Sequence, residues 1–216
     1  RGASGVVLSS RSGRLMRGGQ GLDRQLAMLC AAAPVHASAS DVGDASEAAF
    51  LLTSSACAGL GLVGVLHAAG VLHDRMLRSM PCDDLDAAFA PKGFAASWLH
   101  SASARNPLEA MGLFSSASAT FGTIGQGNYA AANAHLDGLA LVRRTHGKIG
   151  SSLQIGAVCG AGMGAATFDQ EQLEGMGAMP LDAFADHLSS SLARARATGE
   201  RTHALLAQAL LEAAVL

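Results

Sequence analysis

The chain has 216 residues, of which 50% are hydrophobic, 15% charged and 4% aromatic, and its formal net charge is −2. This length and composition suit one α/β domain, or at most two small ones, with a core that needs no disulfide or metal. The balanced charge and the scarcity of aromatic residues argue against the basic, base-stacking surfaces of nucleic-acid-binding proteins. We therefore expect neither nucleic acid nor an anionic membrane as a partner.

The cysteines indicate a reducing compartment, and the longest uncharged stretch has to be tested as a membrane span. The four cysteines are spread along the chain without a C-x-x-C pair, which predicts free thiols in a reducing compartment, the cytoplasm. The histidines are equally scattered, so we expect no zinc site. Residues 51–72 lack charged side chains over a length that could span a bilayer. Their glycines, serines and His67 favour a helix end, a turn and a buried strand instead.

Alternating apolar runs and helical stretches predict the fold class. Longer segments with helical periodicity, at 83–103 and 128–146, separate the apolar runs, and residues 181–216 predict one or two further helices. This alternation predicts an α/β fold with a doubly wound parallel sheet. The runs that predict buried strands are residues 5–9, 62–69, 112–116 and 151–157.

Two glycine-rich segments imitate a phosphate-binding turn. Residues 59–64 match G-x-G-x-x-G, but that motif needs a strand before it and a helix after it, and here the strand follows. We interpret them as a helix-to-strand turn. Residues 160–165 do follow a strand, yet no second strand with an acidic end comes about 20 residues later. They predict a flexible loop at the mouth of a site.

The segment 114–137 carries the clearest chemical pattern. It places serines at a strand end, then a glycine-rich loop, then a helix that opens with the chain's only tyrosine, Tyr129. Asn133 lies four residues after Tyr129, so both side chains share one helix face. Ser116 lies at the carboxyl end of its strand, where open α/β sheets build their sites.

This segment resembles the ketoreductase domains of modular polyketide and fatty-acid synthases, in the short-chain dehydrogenase/reductase superfamily. In most of that superfamily a lysine follows the tyrosine by four residues. In the ketoreductases an asparagine takes that place and the lysine lies on the preceding helix, as Asn133 and Lys92 do here. The resemblance covers residues 1–195 and leaves 196–216 as a helical tail. The upstream residues that add to it are His67, Ala68, Ala69, Gly70 and the Pro-Lys-Gly run around Lys92.

The resemblance implies a Rossmann-like fold and NADPH-dependent reduction of a β-ketoacyl thioester to a 3-hydroxyacyl thioester. The substrate would be tethered to an acyl-carrier protein, and the other partners would be polyketide-synthase domains. Tyr129 would donate the proton, and the Lys92 ammonium would lower the pKa of its phenol. Ser116 would hydrogen-bond the carbonyl oxygen, and Asn133 would hold the site geometry and a water.

The resemblance also assigns cofactor contacts. Ser10 and Arg11 would meet the 2′-phosphate of NADPH, for which a guanidinium is well suited. Asp41 and Val42 would lie on the adenine side. The further predicted cofactor contacts are His67, Ala68, Ala69 and Gly70.

Three residues bear on the configuration of the product. Asp74 matches the final acid of the family's Leu-Asp-Asp marker, although His73 replaces the middle aspartate. Phe121 stands where the opposite stereochemical class has tryptophan, and Gln126 lies in the same loop region. Together they predict a D-configured 3-hydroxyl group.

The chain departs from the family pattern at its start. The family begins with a central strand and a Thr-Gly-Gly-x-Gly-x-x-Gly turn that binds pyrophosphate, and residues 1–9 resemble the segment after that turn. The resemblance therefore implies that the first strand and the glycine-rich turn are missing, which would leave two strand edges unpaired. Two hypotheses from different classes remain from the sequence: an NADPH-dependent ketoreductase, or a non-catalytic, truncated fragment or structural module of a megasynthase. The arrangement of Asn133 and Lys92 disfavours a third, a free-standing reductase of the same superfamily.

Overall fold

The strands of the protein are parallel and form two sheets. The computed structural model describes residues 5–14, 21–54, 61–160 and 162–197, and the fold is given for these ranges. β1 pairs with β2 in one sheet, and β4 lies between β3 and β5 in the other. The strands are β1 (Val6–Ser10), β2 (Val35–Ala39), β3 (Gly64–His67), β4 (Ala110–Ser116) and β5 (Ser151–Ile155).

Helices connect consecutive strands, as parallel pairing requires. A π-helical turn at Ala90–Phe94 joins α3 to α4, and a 3₁₀ turn spans Leu77–Ser79. No helix in the described ranges is long and apolar enough to cross a membrane. The helices are α1 (Leu22–Ala32), α2 (Ala45–Thr53), α3 (Cys82–Phe89), α4 (Ala95–Ala102), α5 (Ser118–Phe121), α6 (Gly127–Thr145), α7 (Gly162–Thr167), α8 (Gln170–Gly175) and α9 (Leu181–Ala197).

The core lies between the three-stranded sheet and helices α2, α4 and α6. Leu113 of β4 and Leu136 of α6 are fully buried, and burial of each such side chain contributes about 1.5–3 kcal/mol. Ala48 and Leu52 place α2 in the same cluster. Other members of the cluster are Ala96, Leu99, Leu108, Met111 and Ala140.

The predicted α/β class with a parallel sheet and flanking helices is confirmed. The apolar runs at 5–9, 62–69, 112–116 and 151–157 became β1, β3, β4 and β5, with bounds moved by a few residues. The sequence missed β2, because its letters Val-His-Ala-Ser-Ala carry little strand propensity and its register comes from pairing with β1.

The two glycine-rich segments have different outcomes. Gly61 has a positive φ of 66° and β3 follows it, while α2 ends at Thr53, so the predicted helix-to-strand order is confirmed; residues 55–60 lie outside the described ranges. The flexible loop predicted at 160–165 is wrong in part, because α7 begins at Gly162.

The structure has helices in the segments that the sequence predicted to be helical, with some differences in their bounds. Residues 83–103 form α3, the π-helical turn and α4 rather than one regular helix, and 128–146 correspond to α6. Helix α9 begins at the predicted Leu181. The expected break near Gly199 and the helical tail at 196–216 lie almost wholly outside the described residues. The division of the chain at residue 195 remains a prediction.

Candidate active site

Tyr129 is the centre of a buried cluster at the carboxyl edge of the three-stranded sheet. It lies in the first turn of α6 and is 8% exposed. The Lys92 ammonium lies over its ring, 5.3 Å from the centroid. Asn133 donates from Nδ2 to the main-chain oxygen of Tyr129 at 2.8 Å. Ser116, the last residue of β4, is close enough for its side-chain hydrogen bonding to lower the pKa of the Tyr129 phenol. The fold thus brings together the residues predicted to be catalytic.

Lys92 is held in a closely packed environment. Only 2% of it is exposed, and Nζ donates to the main-chain oxygen of Phe114 on β4 at 2.7 Å. Burial lowers the pKa of Lys92 to about 8, and the Asp137 carboxylate on α6 opposes that shift. Asp137 is itself fixed to β5, since it accepts hydrogen bonds from Ser152 Oγ and Gln154 Nε2.

The phenol of Tyr129 keeps its proton more firmly than the sequence predicted. Burial raises the pKa of Tyr129, hydrogen bonding from Asn133 and Ser116 lowers it, and the Asp74 carboxylate raises it. The predicted lowering of this pKa is wrong, because burial is the largest influence and raises it; the contribution of the Lys92 ammonium over the ring stays a prediction. A protonated phenol at neutral pH suits a proton donor.

Asn133 offers an acceptor to a bound molecule. Its Oδ1 is a buried side-chain atom without a hydrogen-bond partner among the described residues. Ser115 Oγ donates to the main-chain oxygen of Asn133 at 3.2 Å, which fixes this turn of α6 to β4. Because an unsatisfied buried acceptor costs free energy, this atom fits a site completed by a cofactor, a substrate or a water. The donor set of phenol, ammonium and hydroxyl likewise fits a nicotinamide cofactor and a carbonyl substrate.

The residues predicted to bind the adenosine end lie together at the carboxyl edge of the β1–β2 sheet. Ser10 ends β1, Arg11 follows it with an exposed side chain, and the Ser40 N–H donates to the Ser10 carbonyl at 3.0 Å. Asp41 Oδ1 accepts a hydrogen bond from the Gly43 N–H at 3.0 Å. Val42 packs against the core. Their contact with a cofactor remains a prediction.

The run from His67 to Gly70 leads from β3 towards Lys92. His67 is 3% exposed, and its Nε2 lies 3.0 Å from the main-chain oxygen of Lys92. Ala68 and Ala69 connect it to Gly70, whose Cα faces the lysine side chain. The predicted role of these residues in cofactor binding remains a prediction.

Gly70 packs against Lys92 so closely that a methyl group would not fit. A Cβ at this position would lie 2.9 Å from Lys92 Cε. We expect Gly70→Ala to lower the free energy of unfolding by about 1–3 kcal/mol, because the buried lysine has to move. Gly138→Ala, inside α6, is the matched control, because no atom lies within 4 Å of a Cβ at that position. Its added methyl group should raise the free energy of unfolding by about 0.5–1 kcal/mol. Urea unfolding measures both, and equal midpoints for the two variants would contradict this packing.

The segment that carries Asp74 is tied to the start of α6. Gln126 Nε2 donates to Asp74 Oδ2 at 2.9 Å, and the Arg75 N–H donates to the Gly125 carbonyl at 2.7 Å. Of the three residues predicted to set product configuration, Asp74 and Gln126 are therefore in contact. Phe121 is 67% exposed on α5.

Two further residues organise the site and were given no role from the sequence. Asn128 is completely buried, and its Nδ2 donates to the main-chain oxygens of His73 at 3.0 Å and Asp84 at 2.9 Å. It thereby joins α6, α3 and the segment before α3. Asp137 is the carboxylate that acts on Lys92. Both lie in the segment 114–137, and the spacing of Asp137, four residues after Asn133, was the available signal.

Known proteins resemble this chain in sequence. A family model described as "KR domain" matches residues 1–160. Polyketide synthase GfsA of Streptomyces halstedii is 44% identical over 156 residues, which are 72% of this chain and 2% of that protein. Spectinabilin polyketide synthase system protein NorB of Streptomyces orinoci is 40% identical over 169 residues, 78% of this chain and 8% of that protein. The chain thus spans a small part of the curated relatives it matches.

Solved structures resemble the fold. A structure described as A-type ketoreductases from a modular polyketide synthase aligns with a TM-score of 0.78 at 35% identity, covering 90% of this chain and 40% of that one. The ketoreductase from the first module of phoslactomycin biosynthesis in Streptomyces sp. HK803 aligns with a TM-score of 0.76 at 31% identity, covering 88% and 44%. Because the family model matches well over half of the residues and these structures share the fold, the chain belongs to the ketoreductase (KR) domain family, with a fold of the short-chain dehydrogenase/reductase type.

Proposed function

We propose that this chain carries the proton-donating part of an NADPH-dependent ketoreductase. The reaction is reduction of a β-ketoacyl thioester, tethered to an acyl-carrier protein, to the 3-hydroxyacyl thioester within a polyketide synthase. The observation that supports it most is the buried Tyr129 with Lys92, Ser116 and Asn133 around it. A bound nicotinamide supplies the hydride, and the protein supplies the proton and the electrostatic environment.

The side chains at the site have separable tasks in this reaction. The substrate oxygen gains negative charge as the carbonyl is reduced, and Ser116 donates a hydrogen bond to it. Tyr129 then transfers its phenolic proton to that oxygen. The Lys92 ammonium over the ring stabilises the phenolate that remains. Asn133 Oδ1 holds the water through which the phenol regains a proton.

Two residues support the choice of NADPH. Arg11 presents an exposed guanidinium at the carboxyl end of β1, and it would pair with a 2′-phosphate. Asp41 follows the neighbouring strand β2 and would face the adenine. Both lie at the edge of the sheet where open α/β folds bind nucleotides.

Product configuration and cellular setting are part of the same proposal. The Asp74–Gln126 hydrogen bond fixes the segment for which the sequence predicts a D-configured product. Analysis of the product made by this chain tests that configuration. The described cysteines are free thiols, which fits the cytoplasm. They are Cys30, Cys82 and Cys159.

NADPH binding and turnover test the proposed function. Fluorescence titration with NADPH and with NADH should show tighter binding of NADPH by about ten-fold or more, because Arg11 would pair with the additional phosphate. A short β-ketoacyl thioester should then be reduced with consumption of NADPH, and chiral chromatography of the product reads its configuration. Two chains are compared: this one, and one extended at its start by the strand and glycine turn of a related ketoreductase. Absence of binding and reduction in both, with the fold intact, would refute the proposal.

A non-catalytic structural module is the alternative, and one observation favours it. Among the described strands, β1 pairs only with β2, and β3 pairs only with β4. No strand in these ranges joins the sheet that carries Arg11 to the sheet that carries Ser116. If the extended chain folds but neither binds NADPH nor reduces the thioester, the structural-module function is the correct one.

A further inference from the structure

His67 is a buried histidine whose ring is directed at the main chain of Lys92. Its Nε2 lies 3.0 Å from the Lys92 carbonyl oxygen, which can only accept a hydrogen bond, so Nε2 carries the proton. The pKa of His67 is lowered to about 4, mainly by burial; the hydrogen bond to Lys92 opposes this shift, and the nearby Lys92 ammonium adds to it. The imidazole is therefore neutral near pH ~7 and acts as a fixed donor.

The carbonyl that His67 contacts lies in the π-helical turn at Ala90–Phe94. Such turns interrupt the regular i→i−4 hydrogen bonds of a helix and occur frequently at functional sites. Here the Ala95 N–H is shared between the carbonyls of Ala90 and Lys92. The Lys92 carbonyl thus shares one main-chain donor, and His67 provides a second, independent one. This contact fixes the turn to the end of β3.

The other end of Lys92 is fixed to the neighbouring strand. Nζ donates to the Phe114 carbonyl at 2.7 Å, and Phe114 follows Leu113, the residue that pairs with His67 across β3 and β4. A lysine side chain loses rotamer entropy when it is held in one conformation, so a fixed Lys92 needs contacts at both ends. Adjacent positions of two paired strands therefore hold the main chain and the ammonium of Lys92.

We propose that His67 is a positioning residue: its imidazole orients the π-helical turn so that the Lys92 ammonium lies over the Tyr129 ring. The consequence for catalysis rests on the proposed reductase function, whereas the placement of Lys92 does not. The proposal gives the His67 side chain a role distinct from direct contact with a cofactor. A cofactor contact would change NADPH affinity, whereas a positioning role changes the turnover number.

Three substitutions of His67 distinguish the effect of its hydrogen-bond donor from the effect of its side-chain volume. His67→Gln keeps an amide N–H₂ at about the reach of Nε2, whereas His67→Asn is one methylene shorter and loses contact with the Lys92 carbonyl. His67→Leu removes the donor and keeps an apolar side chain of similar size. Leu136→Ala, in the core part of α6, is the control for lost stability without a change at Lys92.

The chain has only two lysines, Lys92 and Lys148, so lysine labelled with ¹³C at Cε gives two resolvable NMR signals. The Lys92 signal should differ from that of Lys148 in the wild type, because Lys92 is buried over an aromatic ring. We expect His67→Gln and Leu136→Ala to leave the Lys92 signal unchanged. His67→Asn and His67→Leu should move it towards that of Lys148. If His67→Leu does not fold, the comparison of His67→Asn with His67→Gln decides alone.

Turnover gives the second readout. In His67→Leu and His67→Asn we expect the turnover number to fall about ten- to hundred-fold, because small displacements of a catalytic group have effects of this size. KM and NADPH affinity should stay within about three-fold, and His67→Gln should recover most of the rate. The proposal would be overturned if the Lys92 signal were unchanged in His67→Asn. It would also be overturned if His67→Asn lost NADPH affinity while its turnover number stayed the same. If the wild type neither binds NADPH nor reduces the thioester, the reductase function fails, while the lysine signals still decide whether His67 positions Lys92.

Discussion

Replacing Tyr129 with phenylalanine is expected to lower the rate of β-ketoacyl thioester reduction roughly 10²- to 10⁴-fold. The substitution removes the phenolic proton that the substrate oxygen receives, and it keeps the ring under the Lys92 ammonium. Burial raises the pKa of Tyr129, so the wild-type phenol carries its proton at neutral pH. Consumption of NADPH in the presence of thioester measures the loss.

The same variant provides its own controls. NADPH affinity and the urea midpoint should stay close to the wild-type values, since only a hydroxyl group is lost. Tyr129 is the chain's only tyrosine, so ¹³Cζ-labelled tyrosine gives one NMR signal that reports the phenol directly. That signal should begin to titrate only above the usual tyrosine range near pH ~10. Retention of more than about a tenth of the wild-type rate by Tyr129→Phe would exclude Tyr129 as the proton donor.

Replacing Lys92 with methionine is expected to change the pH dependence of stability. The pKa of Lys92 falls from 10.5 to about 8 in the folded protein, so at higher pH the unfolded chain binds more protons than the folded one. The free energy of unfolding therefore rises with pH between about 8 and 10.5, and the buried ammonium is unfavourable below that window. Lys92→Met lacks this effect. The free energy of unfolding of the variant minus that of wild type should therefore be about 2 kcal/mol larger near pH ~7 than near pH ~9.5.

Urea unfolding at the two pH values measures this difference, and other groups that titrate in the same range cancel in the comparison with wild type. The groups that face Lys92 are His67, Tyr129 and Asp137. Lys148→Met is the matched control, because the Lys148 ammonium lies at an exposed position, where it donates to the Ala104 carbonyl. A difference between Lys92→Met and wild type that is the same at both pH values would show that Lys92 is not desolvated as the structure indicates.

The sequence predicted the parts of the site that depend on local spacing. Tyr129 and Asn133 share a helix face because they are four residues apart, and Ser116 ends an apolar strand; both features follow from the chain itself. The approach of Lys92 followed only from the family resemblance, since it comes from a separate helical segment. Strand β2 was missed because its letters are small or polar, and its register depends on a partner strand that is remote in the chain.

The electrostatics of the site could not be read from residue types. Lys92 was expected to act on the Tyr129 phenol as a neighbouring charge, and that expectation ignored desolvation. In the fold both groups are buried, and burial is the largest influence on the pKa of each. The π-helical turn, which contains Lys92, was also invisible in the periodicity of residues 83–103.

The uneven burial of the two sheets has a consequence for cooperativity. Helix α1 contains no buried residue, and neither do β1 and β2, whereas the three-stranded sheet and α6 hold most of the core. Segments with few buried apolar contacts open at a small free energy without unfolding the rest of a domain. The β1–α1–β2 unit, with Arg11 and Asp41, thus forms a foldon that can open while the Tyr129 cluster stays folded. The part predicted to recognise the nucleotide should therefore open at a smaller free energy than the part that holds the proton donor.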